Sequence, residues 1–370
     1  MTAVSASAPA RVNIIGEHTD YNDGFVLPTC TALFTRVTAV ARDDRELHVQ
    51  SSTLSDTRVI ELDSLHCANS GEWIEYVKGV AAGLQAAGVR LPGASLNIES
   101  NIPLGAGLSS SASLELSVGK ALLGLSGETM AAPDLALLCQ KAEHDFAGVQ
   151  CGIMDQYALA CAQFGNALLL DCRTLQTEQV SLPGDITFIL TDSGVRHSLV
   201  DGEYNNRAQE CAAAIEIIKK TKPAINKLRD VEPKILSASK NELGDVLFRR
   251  CRHVVSENER VMRMVHALES NDLAQVGSLL NACHASLRDD YEVSCSELDA
   301  LVEIANADAR VFGSRMVGAG FGGCVLSACR KEDAGAAAAQ ICAAYAAVSG
   351  QEPLQHIVQA AHPAHLEENV

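Results

Sequence analysis

The chain has 370 residues, of which 47% are hydrophobic and 20% are charged, a composition typical of a globular protein with a large core and about two or three domains. Its 29 basic and 46 acidic residues give a formal net charge of −17, which repels nucleic acid and anionic membrane surfaces, so neither is an expected partner. No apolar run reaches the ~18 to 20 residues of a membrane span, and the N-terminal residues lack the hydrophobic stretch of a signal peptide.

The thirteen cysteines are dispersed along the chain, and none forms the C-x-x-C pair typical of zinc or redox sites. Their odd number also disfavours a fully paired disulfide framework. We therefore expect reduced thiols, mostly small core residues, in a cytoplasmic protein.

The first polar cluster is RVNIIGEHTDYNDG, residues 11–24, which follows an apolar strand-like segment. Carboxylates accept hydrogen bonds from hydroxyls and an imidazole accepts or donates, so this cluster could bind a polyol. The side chains concerned are those of Glu17, His18, Asp20, Tyr21 and Asn22. The alternative is an ordinary polar turn that ends in an Asn-Asp-Gly hairpin signal. No second histidine lies at a metal-binding spacing from His18, which disfavours a zinc site.

Strand-like alternation follows at residues 25–41, 46–51 and 94–100, and the last of these runs leads into PLGAGLSSSAS, residues 103–113. Its two glycines let backbone N–H groups approach an anion closely, and the amphipathic helix predicted after it directs its positive end at the same place. We interpret the segment as a phosphate-binding loop. The segment contains no lysine, so it is not the GxxxxGK[ST] loop of other nucleotide-binding proteins. The alternative to a phosphate-binding loop is a glycine-rich turn with a serine cap.

A third cluster, EHDFAGVQCGIMDQ, spans residues 143–156. Pro133 begins a predicted helix that brings Glu143 to its end, where the carboxylate could bind magnesium. Asp155 would then be free for another role. The alternative for Asp155 is a helix cap or a solvated charge.

Beyond Gly165 the pattern predicts strands at 167–172 and 186–192, then mainly helix from 203 to about 307, with Asn271 and Asp272 as a cap. A second glycine-rich turn, GAGFGG at 318–323, precedes an alanine-rich helix at about 332–348. We predict an α+β protein with domains at 1–165 and 166–370.

These clusters, in this order, resemble the galactokinases of the GHMP family of small-molecule kinases. The segments 11–24, 103–113 and 318–324 are similar to the galactokinase signature, the ATP-binding motif and the third motif of that family. CGIMDQ, LLLDCR, VRHSL followed by EYNNR, and HASLRDDYEVS extend the resemblance over nearly the whole chain. It implies a two-domain fold, with an N-terminal domain like ribosomal protein S5 domain 2, a ferredoxin-like C-terminal domain and the active site between them.

The resemblance also implies an activity and its residues. A monomeric enzyme would transfer the γ-phosphoryl group of ATP, with Mg²⁺, to the C1 hydroxyl of galactose. The catalytic pair would be Asp155 and Arg11. The sugar would contact Glu17, His18, Thr19, Asp20, Gly152 and Tyr204. ATP would lie against Gly105, Ala106, Gly107, Leu108, Ser109, Ser110 and Ser111, with Ser51 and Trp73 in the nucleotide pocket. The magnesium ligands would be Ser111 and Glu143.

The chain departs from the family pattern at two positions. Ala10 replaces the glycine that usually precedes the signature arginine, and Ala32 stands where relatives often carry an acid. Two other functions stay open at this point: a sugar 1-kinase for N-acetylgalactosamine or arabinose, and a sensor that binds galactose and ATP without catalysis. The sensor is disfavoured because Arg11, Ser111, Glu143 and Asp155 are all present.

Overall fold

The structure is a computed structural model that describes residues 3–67, 70–103, 105–195 and 200–367. Within these ranges, nine strands form the first sheet, whose main path has the order β13-β1-β3-β6-β4-β5. The strands are β1 (Ala3–Asn13), β2 (Phe25–Val26), β3 (Pro28–Arg42), β4 (Glu46–Ser51), β5 (Asp56–Glu61), β6 (Gly93–Ser100), β7 (Asn166–Asp171), β8 (Thr177–Ser181) and β13 (His365–Leu366). Strand β7 pairs with β2, β3 and β8 and so extends the sheet beyond its main path.

Four helices pack with this sheet: α1 (Ile74–Ala86), α2 (Ser110–Ser126), α3 (Ala132–Ala142) and α4 (Met154–Cys161). Helices α2 and α4 contact β1 and β3, while α1 and α3 pack on α2. Leu84, Leu96, Leu116 and Leu135 are buried together in this first core. Packing in this core fixes the positions at which α2 and α4 begin. The first residues of both helices line one cavity, which is described below.

The second sheet has four antiparallel strands in the order β10-β11-β9-β12. They are β9 (Ile186–Asp192), β10 (Val311–Met316), β11 (Cys324–Arg330) and β12 (Gln355–Ile357). Helices α9 (Ser296–Asn306) and α10 (Ala334–Ser349) pack on this sheet. With helical segments between β9 and β10 and between β11 and β12, this order is that of a ferredoxin-like domain.

Between β9 and β10 the chain is mainly helical, as the sequence predicted. It forms α5 (Val200–Lys219), α6 (Pro233–Ala238), α7 (Lys240–Glu269) and α8 (Leu273–Asp289). The predicted cap is confirmed in part, because the Asp272 carboxylate accepts a hydrogen bond from the backbone N–H of Gln275 at 2.9 Å and begins α8. Among the described helices, none has both the length and the apolar character needed to cross a bilayer.

The two sheets divide between Ser181 and Ile186, later than the boundary predicted at residue 165. Strands β7 and β8 belong to the first sheet because β7 pairs with β2, and the C-terminal strand β13 returns to pair with β1. Strand pairing depends on a distant partner, so it could not be predicted from the local pattern of β7.

The replacement of glycine by Ala10 is accommodated where β1 and β3 change register, between Pro9 and Ala10. Ala10 is not among the residues with positive φ, so a side chain causes no backbone strain there. Arg11 follows directly and lines the cavity that the starts of α2 and α4 also face. Ala32 is exposed in β3 and does not line this cavity.

Candidate active site

A cavity of about 730 Å³ lies where the two glycine-rich turns meet. The turns come from different sheets, yet a Cβ added to Gly318 would lie only 3.5 Å from the Cα of Gly107. The predicted residues that line the cavity are Arg11, Glu17, His18, Asp20, Gly105, Gly107, Leu108, Ser109, Ser110, Ser111, Glu143, Gly152, Asp155 and Tyr204. The second turn also lines the cavity, so the fold brings residues as far apart in sequence as Arg11 and Gly323 into one site.

At the centre of the cavity the Asp155 carboxylate is held by three donors. Arg11 donates from Nε to Oδ1 and from Nη2 to Oδ2, both at 2.9 Å, and the Ser109 hydroxyl donates to Oδ2 at 2.6 Å. Arg11 also donates from Nη1 to the carbonyl oxygen of Gly107 at 2.6 Å, which joins this pair to the glycine loop. Asp155 is in the first turn of α4 and its side chain keeps 26% exposure, so a substrate can reach it.

The glycine loop has the conformation expected of an anion-binding loop. Gly105, Gly107 and Ser109 all have positive φ, between 61° and 73°, and α2 begins immediately after Ser109. The first N–H groups of a helix have no partner within it, so those at the start of α2 are available to phosphate oxygens. Leu104, the second residue of the motif, lies outside the described residues.

The predicted metal ligands lie together on one side of the loop. Helix α3 ends at Ala142, and a single π-helical turn at Glu143–Ala147 follows it. The Glu143 carboxyl group is nearly buried and lies beside the Ser111 side chain, with which it interacts favourably. Burial and the neighbouring Asp155 raise the pKa of Glu143 to about 7. A hydroxyl and a carboxylate are hard oxygen donors that fit magnesium. A bound magnesium ion would also relieve the repulsion between the carboxylates of Glu143 and Asp155.

One end of the cavity is lined by Asp20 and Gly152. Burial and the Asp155 carboxylate raise the pKa of Asp20 to about 7. Gly152 approaches Asp20 so closely that an added Cβ would lie 1.7 Å from Asp20 Oδ2. Only glycine therefore allows this approach.

His18 contributes a neutral ring to the same end of the cavity. Burial lowers the pKa of His18 to about 4. The neutral ring can donate from Nε2 to the carbonyl oxygen of Ala319, 3.1 Å away, and accept at Nδ1 from the Tyr21 hydroxyl at 2.8 Å. Its φ of 62° is uncommon for a residue with a side chain. The ring centroid of Tyr204 lies 5.5 Å from that of His18.

Glu17 lines the cavity but also links the two halves of the chain. Its Oε1 accepts from Arg315 Nη2 and from the backbone N–H of Gly318, both at 2.9 Å. Burial opposes its ionisation, but Arg315 and Arg11 outweigh this effect and hold the pKa of Glu17 below its usual value. The segment at residues 11–24 is therefore hydrogen-bonded directly to the second glycine-rich turn.

Four predicted residues do not line the cavity. The Thr19 hydroxyl is buried between the carbonyl oxygens of Gly16 and Phe25, 2.8 and 2.7 Å away, so it holds the signature loop in shape. Ala106 is buried beneath the glycine loop.

Ser51 and Trp73 lie farther from the glycine loop. Ser51, in β4, accepts a hydrogen bond from the backbone N–H of Leu54, and Trp73 donates to Asp56. Tyr76, about one helical turn after Trp73, does line the cavity. Nucleotide contacts by Ser51 and Trp73 stay predictions.

Sequence reasoning missed the residues of α7 that anchor the signature loop from behind. His253 Nε2 lies 3.0 Å from the carbonyl oxygen of Glu17, and Glu257 Oε1 accepts from the backbone N–H of Gly16 at 2.9 Å. Asn258 Oδ1 accepts from the backbone N–H of Phe25 at 2.9 Å. The spacing of these three polar residues on α7 places them on one helix face. Nothing in the sequence shows which loop that face contacts.

Comparisons with known proteins agree with this geometry. The chain matches the GHMP kinases N terminal domain at residues 75–163, the galactokinase galactose-binding signature at 2–41 and the GHMP kinases C terminal domain at 264–347. It is 44% identical over 353 residues to a galactokinase of Chloroflexus aurantiacus, which covers 95% of this chain and 90% of that protein. It is 45% identical over 324 residues to a galactokinase of a Roseiflexus species, covering 88% of this chain and 83% of that one.

Among solved structures, galactokinase of Lactococcus lactis complexed with galactose is similar, with a TM-score of 0.93 and 35% identity over 98% of this chain and 94% of that one. Mevalonate kinase of Methanococcus jannaschii shares the fold, with a TM-score of 0.71 and 17% identity over 98% of this chain and 99% of that one.

Proposed function

Because the chain belongs to the galactokinases of the GHMP kinase family, we propose that it transfers the γ-phosphoryl group of ATP to the C1 hydroxyl of galactose, giving galactose 1-phosphate and ADP. The observation that carries this proposal is the Asp155 carboxylate, which Arg11 and Ser109 hold inside a cavity lined by the galactose-binding signature. Phosphoryl transfer depends mainly on positioning and on neutralisation of charge, and this arrangement provides both.

Asp155 acts on the sugar hydroxyl. Its carboxylate accepts the hydrogen of the C1 hydroxyl, orients its oxygen towards the phosphorus atom and receives the proton as the new bond forms. Arg11 fixes the carboxylate through two parallel hydrogen bonds and supplies a positive charge beside the reacting groups. Proton transfer comes late in such a loose transition state, so the orienting role matters at least as much as the basicity.

The sugar lies at the end of the cavity formed by the signature. Asp20, His18 and Glu17 provide acceptors and donors for its hydroxyls, while Gly152 and Tyr204 complete the pocket wall. A sugar with a larger group at C2 needs more volume there, so we expect the 2-hydroxyl sugar to be preferred over N-acetylgalactosamine.

The nucleotide lies along the glycine loop. The N–H groups of residues 105–111 and the start of α2 bind its phosphates. Ser111 and Glu143 would hold the magnesium ion, which supplies positive charge that offsets the charge of the phosphates.

We further propose that the enzyme works as a monomer in the cytoplasm. The residues assigned to the site can all be supplied by one chain, and the odd number of cysteines, thirteen, disfavours a fully paired disulfide framework, which is consistent with a reducing compartment. Light scattering after size-exclusion chromatography checks the monomer.

The test is magnesium-dependent ADP release, measured in parallel with galactose, glucose, N-acetylgalactosamine and arabinose. We expect turnover on galactose well above the other three. Faster turnover on N-acetylgalactosamine or arabinose would identify a different sugar 1-kinase. Galactose binding without turnover on any of the four sugars would identify a sensor.

A further inference from the structure

The carboxamide of Gln156 lies between two buried carboxylates. Its Nε2 donates to Glu143 Oε2 at 2.6 Å and to Glu115 Oε2 at 3.1 Å. An amide NH₂ group has two hydrogens, so each carboxylate receives one of them. Gln156 and Glu115 are fully buried and Glu143 is 5% exposed, so these bonds form away from bulk water.

Three elements meet at this bridge. Gln156 follows Asp155 in the first turn of α4, and Glu143 opens the π-helical turn after α3. Glu115 lies on α2 four positions after Ser111, so the two side chains share a face of that helix. The Glu143 carboxylate is therefore contacted by Ser111 and by Gln156, while Glu115 holds Gln156 in turn.

The bridge leaves hydrogen-bonding capacity unused. Glu115 Oε1 and Gln156 Oε1 are both buried and have no partner among the residues that the structure describes. A buried polar atom without a partner costs about 1 to 3 kcal/mol, so a merely structural contact would be better served by apolar side chains of the same size. The arrangement makes sense if its purpose is to orient Glu143, which lines the cavity, whereas Glu115 does not.

We propose that Gln156 and Glu115 are positioning residues for the magnesium ligand Glu143. Glu115 fixes the carboxamide of Gln156, and Gln156 fixes the Glu143 side chain so that its carboxylate stays beside Ser111. This inference rests on the proposed function, which assigns Ser111 and Glu143 to the metal. Partners that orient a metal ligand typically contribute about 10- to 100-fold to metal affinity.

The test measures metal binding directly, with Mn²⁺ as the probe in the presence of ADP. The full-length Gln156→Leu variant, which loses the amide but keeps most of the side-chain volume, is titrated with Mn²⁺, and electron paramagnetic resonance measures the concentration of unbound Mn²⁺. The unmodified protein is titrated in the same way for comparison. We expect Mn²⁺ affinity to fall about 10- to 100-fold, and the Mg²⁺ concentration for half-maximal rate to rise by a similar factor. Galactose binding, measured by calorimetry without metal, should stay within about twofold, because the side-chain partners of the Gln156 amide group are Glu115, Glu143 and the Cys151 sulfur and not Asp20.

Two further variants separate positioning from packing. Glu115→Gln keeps an acceptor oxygen for Gln156 and should retain Mn²⁺ affinity within about threefold, whereas Glu115→Leu should lose about tenfold. The matched control is Gln85→Leu on α1, whose carboxamide donates to the carbonyl oxygen of Leu62 away from the cavity. It should bind Mn²⁺ like the unmodified protein.

Wild-type Mn²⁺ affinity in a folded Gln156→Leu variant would overturn the inference. If that variant does not fold, Glu115→Leu decides, and wild-type affinity in it has the same meaning. Glu143→Ala tests the underlying site separately. If it binds Mn²⁺ as tightly as the unmodified protein, the proposed metal site is wrong and the positioning role falls with it.

Discussion

Replacing Asp155 by asparagine tests the proposed catalytic carboxylate with almost no change in shape. The carboxylate accepts three hydrogen bonds, two from Arg11 and one from Ser109. Asparagine has one acceptor oxygen, so its NH₂ group must face a donor. The variant therefore loses the acceptor for the sugar hydroxyl and leaves Arg11, itself only 5% exposed, without its countercharge.

The size of the effect follows from these contacts. A positioned base contributes about 10²- to 10⁴-fold to turnover, equivalent to about 3 to 5 kcal/mol of transition-state stabilisation. The loss of charge-assisted hydrogen bonds should lower the free energy of unfolding by about 1 to 3 kcal/mol. The contact between Arg11 and Gly107 does not involve Asp155, so the glycine loop should keep its shape and the KM for ATP should change by less than about threefold.

The assay is coupled ADP release at saturating galactose, with unfolding in urea as the check on folding. Asp134→Asn is the matched control, because Asp134 is exposed in the first turn of α3 and lies outside the cavity lining. It should keep turnover within about twofold, as surface substitutions usually do. A folded Asp155→Asn variant with near-normal turnover would refute the assignment of Asp155.

Three other predictions concern the sugar end and its support. Gly152→Ala forces Asp20 to move, because the new methyl group would lie 1.7 Å from its carboxylate, so the KM for galactose should rise about 10- to 100-fold while the KM for ATP stays unchanged. An unaltered galactose KM would contradict this. The pKa of Asp20 is raised to about 7 by burial and Asp155, so kcat/KM for galactose should rise with pH through about 7 and level off above it, as the ionised acceptor form becomes complete. Asp20→Asn should lack that inflection, and an identical pH profile would exclude this role. Burial lowers the pKa of His253 from 6.5 to about 4, so the unfolded chain takes up the proton first on acidification. Neutral His253 therefore gives its full contribution to the free energy of unfolding above pH 6.5, and about 3 kcal/mol of this contribution is lost between pH 6.5 and 4. The difference in the free energy of unfolding between wild type and His253→Gln, measured in urea, should narrow over this range. A gap that is independent of pH would show that His253 is not buried in the neutral form.

Parts of the site whose signal is local could be predicted from the sequence. The glycine loop carries its own conformation in Gly105 and Gly107 and its own helix start in the serines that follow, so the loop and α2 were expected together. Strand β4 was placed at residues 46–51 for the same reason, because its alternation is complete within six residues. The cap at Asp272 is another feature that a single residue specifies.

The parts that could not be predicted depend on distant partners. Strand β7 was assigned to the second half of the chain, because nothing within it shows that it pairs with β2. The contact of Glu17 with Arg315 joins residues almost 300 positions apart, and only the folded chain reveals that this carboxylate is partly used for holding the two glycine-rich turns together. The sequence analysis assigned no role to Gln156, although its carboxamide contacts two further elements.

The charges around the cavity support the proposal that a cation accompanies the nucleotide in this site. Among the described residues that line it, Arg11 is the sole lysine or arginine, against the carboxylates of Glu17, Asp20, Glu143 and Asp155. Arg11 is committed to Asp155 and Glu17 to Arg315, so neither pair leaves a free positive charge for the phosphates. Two unit charges 4 Å apart interact by about 4 kcal/mol near a protein surface, which makes an uncompensated Glu143 a strong obstacle to a polyphosphate. A magnesium ion held by Glu143 and Ser111 would turn that obstacle into an attraction, and the N–H groups at the start of α2 add to it. In a chain with a net charge of −17, this local reversal confines the attraction for phosphate to the glycine loop.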